Sequence, residues 1–240
     1  MPWYFAVAER DHDIQNPTSA EKLRALGERL RLGPGSHVLD VACGKCGPAI
    51  VLAETFGCTF TGIERAPEFV AEARERVVAS GLDDRIQIVE ADASVVEIEA
   101  EAYDVAICLG ASFVWDDLHG TLPQLRRAAR AGGYVVVGEP YWRHWPLPAG
   151  IADDGYVTLQ ETAQRFRAAE LIVETLIDSS LDDWDRYETL HWRALEEWLG
   201  EHPDDPDARE IRRRYEANRD DYLGWQRELL GWAIFAARKR

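Results

Sequence analysis

Apolar positions along the chain fall into short continuous runs that alternate with longer amphipathic stretches. After Pro17, the residues Leu23, Leu26, Leu30 and Leu32 recur at mostly helical spacing, with Thr18 or Ser19 as cap, and predict a helix. Gly33-Pro34-Gly35 breaks it. Beyond the break, apolar runs at His37–Val41, Cys58–Ile63, Ile86–Glu90, Tyr103–Leu109 and Tyr134–Gly138 predict strands. The stretches 48–56, 67–80 and 118–130 between them predict helices. Strands of near-continuous apolar character, separated by helices, imply a mostly parallel sheet covered on both faces, an α/β doubly wound architecture.

The last third changes texture. Residues 141–148 are rich in Trp and Pro and read as a loop. A helix is expected over 159–169, a strand over 170–177, and long amphipathic helices over 184–199 and 207–230. The run Trp232–Ala237 reads as a closing strand, and the acidic break 201–207 as a turn between helices. One domain is therefore expected, with 1–34 as a helical cap, 35–140 as the binding core and 141–240 as lid helices and closing strands.

Charge narrows the partners. The chain carries 43 acidic against 27 basic residues, a net charge of −16, which repels a phosphate backbone. Nucleic acid is not an expected partner, and no apolar run is long enough for a membrane span. Cys43, Cys46, Cys58 and Cys108 are too few and too irregular for a disulfide scaffold, so a reducing cytoplasm is expected. Cys43 and Cys46 form a C-x-x-C, but no second pair or histidine motif completes a metal site, and no metal is expected.

The most informative segment is Val38-Leu39-Asp40-Val41-Ala42-Cys43-Gly44-Lys45-Cys46-Gly47-Pro48. An apolar strand ends in an acid and runs into a small-residue loop that opens a helix. In doubly wound sheets, ligands bind at the carboxyl ends of the strands. Gly44 and Gly47 let backbone approach a ligand there. Asp40 suits a cation better than a phosphate, and a sulfonium with an ammonium group fits. The second strand ends in Glu64, positioned to accept two hydrogen bonds from ribose hydroxyls, and the third is followed by Asp92, suited to an adenine amino group.

With these residues in place, the chain resembles the class I S-adenosylmethionine (SAM)-dependent methyltransferases, in the small-molecule branch with ubiquinone-biosynthesis-type and YjhP-like bacterial proteins. The resemblance extends to His12–Pro17, Cys108-Leu109-Gly110-Ala111, Gly138–Arg143 and Trp184–Tyr187. It implies a Rossmann-like seven-stranded sheet whose last strand is antiparallel. It implies methyl transfer from SAM to a small molecule, leaving S-adenosylhomocysteine. SAM contacts are expected from Asp40, Ala42, Cys43, Gly44, Cys46, Glu64, Arg65, Asp92, Ala93, Leu109 and Gly110. Ala42 and Cys46 stand where the usual loop has glycine. Ala42 is unstrained where its φ is negative, and Cys46 is expected to put a side chain close to the ligand.

An acceptor that is a hydroxyl or amine also needs a base. His144 and Glu139, after the fifth strand, are the first candidates, with Tyr141 and His191 behind them and His12 as a further histidine. Trp115, Tyr141, Trp142, Trp145, Trp184, Tyr187 and Trp192 are expected to wall an apolar pocket. Two rival readings remain: a SAM-binding protein without catalysis, and a nicotinamide-dependent oxidoreductase, whose G-x-G-x-x-G is absent.

Overall fold

The computed structural model describes residues 4–153 and 155–240. Seven strands form one sheet in the order β3-β2-β1-β4-β5-β7-β6. They are β1 (His37–Val41), β2 (Thr59–Glu64), β3 (Ile86–Glu90), β4 (Tyr103–Leu109), β5 (Ala129–Trp142), β6 (Leu171–Asp178) and β7 (Leu230–Lys239). The first five are parallel, and β7 runs antiparallel between β5 and β6. This is the Rossmann-like sheet expected from the sequence, antiparallel last strand included.

Helices α1 (Tyr4–Ala8), α2 (Ala20–Leu30), α3 (Gly47–Phe56) and α4 (Pro67–Ala79) precede β3. Helices α5 (Leu118–Ala128), α6 (Leu159–Ala168), α7 (Leu181–Glu201) and α8 (Ala208–Asp221) follow β4. The two faces of the sheet bury separate cores, because side chains alternate along each strand. On one face Val38, Phe60, Val105 and Ile107 pack with Leu23, Leu26, Leu52 and Ala73 of α2, α3 and α4. On the other, Leu39, Val41, Ala106 and Val137 pack with Leu122, Leu125 and Phe166 of α5 and α6. A third, smaller core joins Ala8 of α1 to Leu195 and Leu199 of α7 and to Ile211 and Tyr215 of α8. This third core brings the N-terminal segment to the end of the sheet where β1, β2 and β4 terminate.

Most predicted elements match to within a few residues, and three differ. Helix α1 has too few residues to show a periodicity of its own. The helix expected to run to residue 230 widens into a π turn at Tyr222–Gln226, where Tyr222 and Arg227 both bond Asp185, at 2.7 and 2.8 Å. Strand β5 extends through Tyr141 and Trp142, which were expected in a loop, because its pairing with β7 continues to Trp142↔Leu230. No helix among the described residues is long and apolar enough to cross a membrane.

Candidate functional site

A cavity of about 690 Å³ opens at the carboxyl ends of β1, β2 and β4. Its walls include Asp40, Ala42, Cys43, Gly44, Glu64, Arg65, Asp92, Ala93, Leu109 and Gly110. Ten of the eleven residues expected at the ligand are thus brought together. A comparable depression at the opposite end of the sheet is lined by Arg29, Arg130, Arg238, Asp104 and Glu174, none of which belongs to the loop.

Glu64 is fixed by three backbone amides. Its Oε2 accepts from Gly44 N at 3.0 Å, and its Oε1 from Arg65 N and Ala66 N, both at 2.8 Å. A carboxylate has about four acceptor sites. Three are taken, so Glu64 has room for one further donor at Oε2, where the sequence suggested two. Asp40 differs in kind. It is 3% exposed, and among the described residues nothing donates to its carboxylate. Burial, and then the charge of Glu64, pushes its pKa up to about 7. A buried acid without a donor is a receptor for a cation. Asp92 lies at the rim, where its Oδ1 accepts from the Ser94 amide at 2.9 Å and hydroxyl at 2.6 Å. These bonds hold its pKa low.

The loop itself is strained at two places. Ala42 has φ of 54° and Cys46 of 59°, the left-handed region where a side chain costs about 1–2 kcal/mol. Ala42 therefore does not meet the condition under which alanine is unstrained here. Ala42→Gly is expected to stabilise the chain by about 0.5–1 kcal/mol, seen as a higher urea midpoint at unchanged slope. The expectation for Cys46 is corrected. It is fully buried and absent from the cavity walls, and its thiol points under the loop toward Cys43 Sγ, 3.5 Å away. The loop thereby keeps its shape, with the Cys46 thiol packed over Gly62 of β2. Gly47 likewise faces away from the cavity. A side chain there would run into the Asp13 carbonyl.

The remaining walls come from a segment whose role the sequence did not disclose. Phe5, Glu9, Gln15 and Asn16 close the cavity from above, with Tyr187 of α7 beside them. Gln15 Oε1 accepts from Lys45 N at 2.7 Å, and Asn16 Nδ2 donates to Leu109 O at 3.2 Å. Lys45, 2% exposed, reaches back from the loop and donates from Nζ to Glu9 O and Arg10 O at 2.9 and 3.0 Å. Its charge is met by Glu72 at 2.8 Å. Arg186 secures the segment further through Asn16 O and Thr18 O, at 3.3 and 2.6 Å. His12–Pro17 was singled out in the sequence, yet only by resemblance.

The expected bases are not at the cavity. His144 is exposed on the loop after β5. The Tyr141 hydroxyl is engaged by Asp178 at 2.8 Å and Arg143 at 2.9 Å, and burial and Asp178 raise its pKa. Glu139 sits behind the wall, where burial lifts its pKa to about 7 against a hydrogen bond from Ser112. His191 also stands outside the walls, but it bonds one of them, its Nε2 lying 2.9 Å from Glu9 Oε1. Burial pulls its pKa down, and Glu188 and Glu9 outweigh that and hold it at about 9. The Tyr187 hydroxyl donates to the same Glu9 oxygen at 3.2 Å. The aromatic wall is corrected too. Of the seven aromatics expected, only Tyr187 lines the cavity, and Phe5, Phe69 and Phe113 supply the rest. Trp142 and Trp184 are core, and Trp145 is 56% exposed.

Comparison with known proteins agrees with this geometry. The profile of the methyltransferase domain matches residues 38–133, from β1 to the start of β5. The Escherichia coli protein YjhP is 32% identical, with 98% of each chain covered. A crystal structure of a SAM-dependent methyltransferase from Thiobacillus denitrificans, in complex with S-adenosylhomocysteine, superposes with a TM-score of 0.92. It is 33% identical and covers 100% of this chain and 99% of its own. The 27-O-demethylrifamycin SV methyltransferase of Amycolatopsis mediterranei is 28% identical, over 77% of this chain and 75% of its own.

Proposed function

The chain belongs to the SAM-dependent methyltransferases, in the group that contains YjhP, and from that premise we propose that it transfers a methyl group from SAM to a small-molecule acceptor with an apolar body. The observation that carries this reading is Asp40, a buried carboxylate with no donor, opening on the same cavity as Glu64 and Asp92. These residues fit the donor: Asp40 would take the ammonium group, Glu64 one ribose hydroxyl and Asp92 the adenine amino group. Ala42, Cys43, Gly44 and Arg65 form the loop side of this site, and Ala93, Leu109 and Gly110 the opposite side.

When bound, SAM supplies a methyl group already activated on sulfur, so the protein's task is to hold donor and acceptor close and collinear. The volume of the cavity, about 690 Å³, is within the range of small-molecule and cofactor sites. Phe5, Phe69, Phe113 and Val114 give the acceptor an apolar surface and exclude water, and Tyr187 and Glu9 offer it polar contacts. The likeness to the 27-O-demethylrifamycin SV methyltransferase supports a small-molecule acceptor. The acidic surface supports a partner other than nucleic acid, and the four free cysteines a reducing compartment such as the cytoplasm.

Titration calorimetry tests the donor site. SAM and S-adenosylhomocysteine are expected to bind at micromolar concentration, and NAD is not. Binding of NAD without SAM would refute the reading, and SAM binding without turnover of any acceptor in a broad screen would favour a binding protein over an enzyme. Among the polar candidates, Tyr187→Phe is expected to lower turnover about tenfold with the SAM affinity within about twofold. His144→Ala is expected to leave both within about twofold. The reverse ranking in an assay with labelled SAM would move the acceptor to the far side of β5.

A further inference from the structure

Between the N-terminal segment and α7 lies a buried group of side chains that the donor site does not use. It contains Glu9, His12 and His191, with Glu188 and Tyr187 around them. The Tyr187 carbonyl accepts from His12 Nε2 at 2.9 Å, which assigns the ring proton to Nε2 and leaves Nδ1 as a bare lone pair. That lone pair faces Glu9 Oε2 at 3.4 Å, also an acceptor. Among the described residues neither atom has a hydrogen-bond partner, although Glu9 and His12 are 6% and 1% exposed. Two buried acceptors facing each other, both unpaired, are destabilising.

A cation between them removes that cost. Two ligands held at about 2.0–2.2 Å around a tetrahedral ion are themselves about 3.4 Å apart. That is the separation of His12 Nδ1 and Glu9 Oε2. His191 Nε2 donates to the other oxygen of the same carboxylate, Oε1, at 2.9 Å, and joins the ion by releasing that proton to solvent; one donor atom from each of the three residues lies within 4.8 Å of the others. The surroundings also match those of metal-bound histidines, whose second ring nitrogen meets an oxygen. For His12 this is the Tyr187 carbonyl. For His191 the nearest such oxygen is Glu188 Oε2, bonded by Asn218 at 3.1 Å and standing 4.0 Å from Nδ1, one small shift short of a hydrogen bond. The sequence carries a matching repeat, Glu9-Arg10-Asp11-His12 and Glu188-Thr189-Leu190-His191.

We infer that Glu9, His12 and His191 form a binding site for a divalent transition cation of the zinc class, which fastens the N-terminal segment to α7. Two imidazoles and one carboxylate favour such an ion over magnesium or calcium, which take mainly oxygen. Three protein ligands leave a fourth position for water. Glu9 and Tyr187 are cavity walls, so the ion stiffens the acceptor end of the cavity without entering the SAM side.

The experiment uses the full chain, stripped with chelator and titrated with zinc or cobalt chloride alone. One equivalent is expected to bind at micromolar or lower concentration, with cobalt giving the visible absorption of a low-symmetry, four-coordinate ion. His12→Ala and His191→Ala are each expected to weaken binding at least about a hundredfold. The double variant His119→Ala, His202→Ala, which removes exposed imidazoles, is expected to retain it. Zinc is expected to slow proteolysis within residues 4–17. X-ray absorption of the wild-type zinc complex decides the matter even where a variant fails to fold. A shell of nitrogen and oxygen with two imidazoles supports the site. Sulfur at about 2.3 Å would assign the ion to Cys43 and Cys46 and overturn it. Absence of stoichiometric uptake, or its loss in the surface double variant, would overturn it equally.

Discussion

Replacing Asp40 with asparagine is expected to weaken SAM binding about 30- to 150-fold while making the ligand-free protein more stable at pH 8. The binding loss is that of one charge-assisted hydrogen bond, about 2–3 kcal/mol. The stability gain follows from linkage. Burial and Glu64 raise the pKa of Asp40 to about 7, well above its value in the unfolded chain. Below pH 4 the carboxyl is protonated in both states and contributes nothing. As pH rises from 4 to 7, the unfolded state ionises more readily than the folded one, so the folded state loses stability, and above 7 the loss is complete. The loss approaches 4 kcal/mol by order of magnitude. Asparagine leaves an amide in need of partners, so a net gain of about 1–3 kcal/mol at pH 8 is expected, disappearing near pH 4. Urea unfolding at the two pH values measures it. The same shift predicts that SAM affinity falls below pH 7. Binding there releases a proton as Asp40 ionises, detectable as a dependence of the calorimetric heat on the buffer at pH 6 and its absence at pH 8.5. A buffer-independent heat at both pH values would show that Asp40 is already ionised before SAM arrives.

That prediction rests on the part of the site that is legible from local sequence. Strand β1, its terminal acid and the small-residue loop occupy consecutive positions, and an apolar run followed by Asp40 and Gly44 leaves little conformational choice. Glu64 and Asp92 follow from the same rule applied at successive strand ends. The cover formed by Phe5, Glu9, Gln15 and Asn16 was not legible in this way. Its contacts join residues far apart in sequence, such as Lys45 to Glu9 and His12 to Tyr187, and no local period encodes them. Glu139, Tyr141 and His144, three of the four expected bases, stand off the cavity for one physical reason. Strand β5 keeps pairing with β7 past Gly138, the partner of Leu109 at the end of β4. Tyr141 and Trp142 are thereby committed to opposite faces of the sheet, and the loop carrying His144 starts beyond the cavity. Likewise, helical spacing tells that Trp184 and Trp192 are inward, not that they face core.

Lys45→Met should separate the lid from the loop without touching the donor contacts. Lysine at this position is nearly sealed from solvent, and its three hydrogens meet two carbonyls and the Glu72 carboxylate. Methionine fills a similar volume and donates nothing. The carbonyls of Glu9 and Arg10 are then left without this donor, while Glu72, 41% exposed, regains water. Breaking a fully buried charge pair costs about 3–5 kcal/mol, and the exposure of Glu72 reduces this to about 2–4 kcal/mol of lost stability. Because α1 has only a small core of its own, the opening is expected to be local, with hydrogen exchange accelerating over residues 5–16 before the sheet is affected. The KM for the acceptor should rise more than the dissociation constant of SAM, since Phe5 and Glu9 leave the acceptor end while Asp40 and Glu64 stay fixed in the sheet. Lys45→Arg keeps the charge, but its planar fork does not fit two carbonyls and a carboxylate arranged around one nitrogen, so only partial rescue is expected. If Lys45→Met instead unfolded the whole chain cooperatively, with exchange at residues 5–16 rising only in step with global unfolding, the N-terminal segment would be part of the core and not a lid over the cavity.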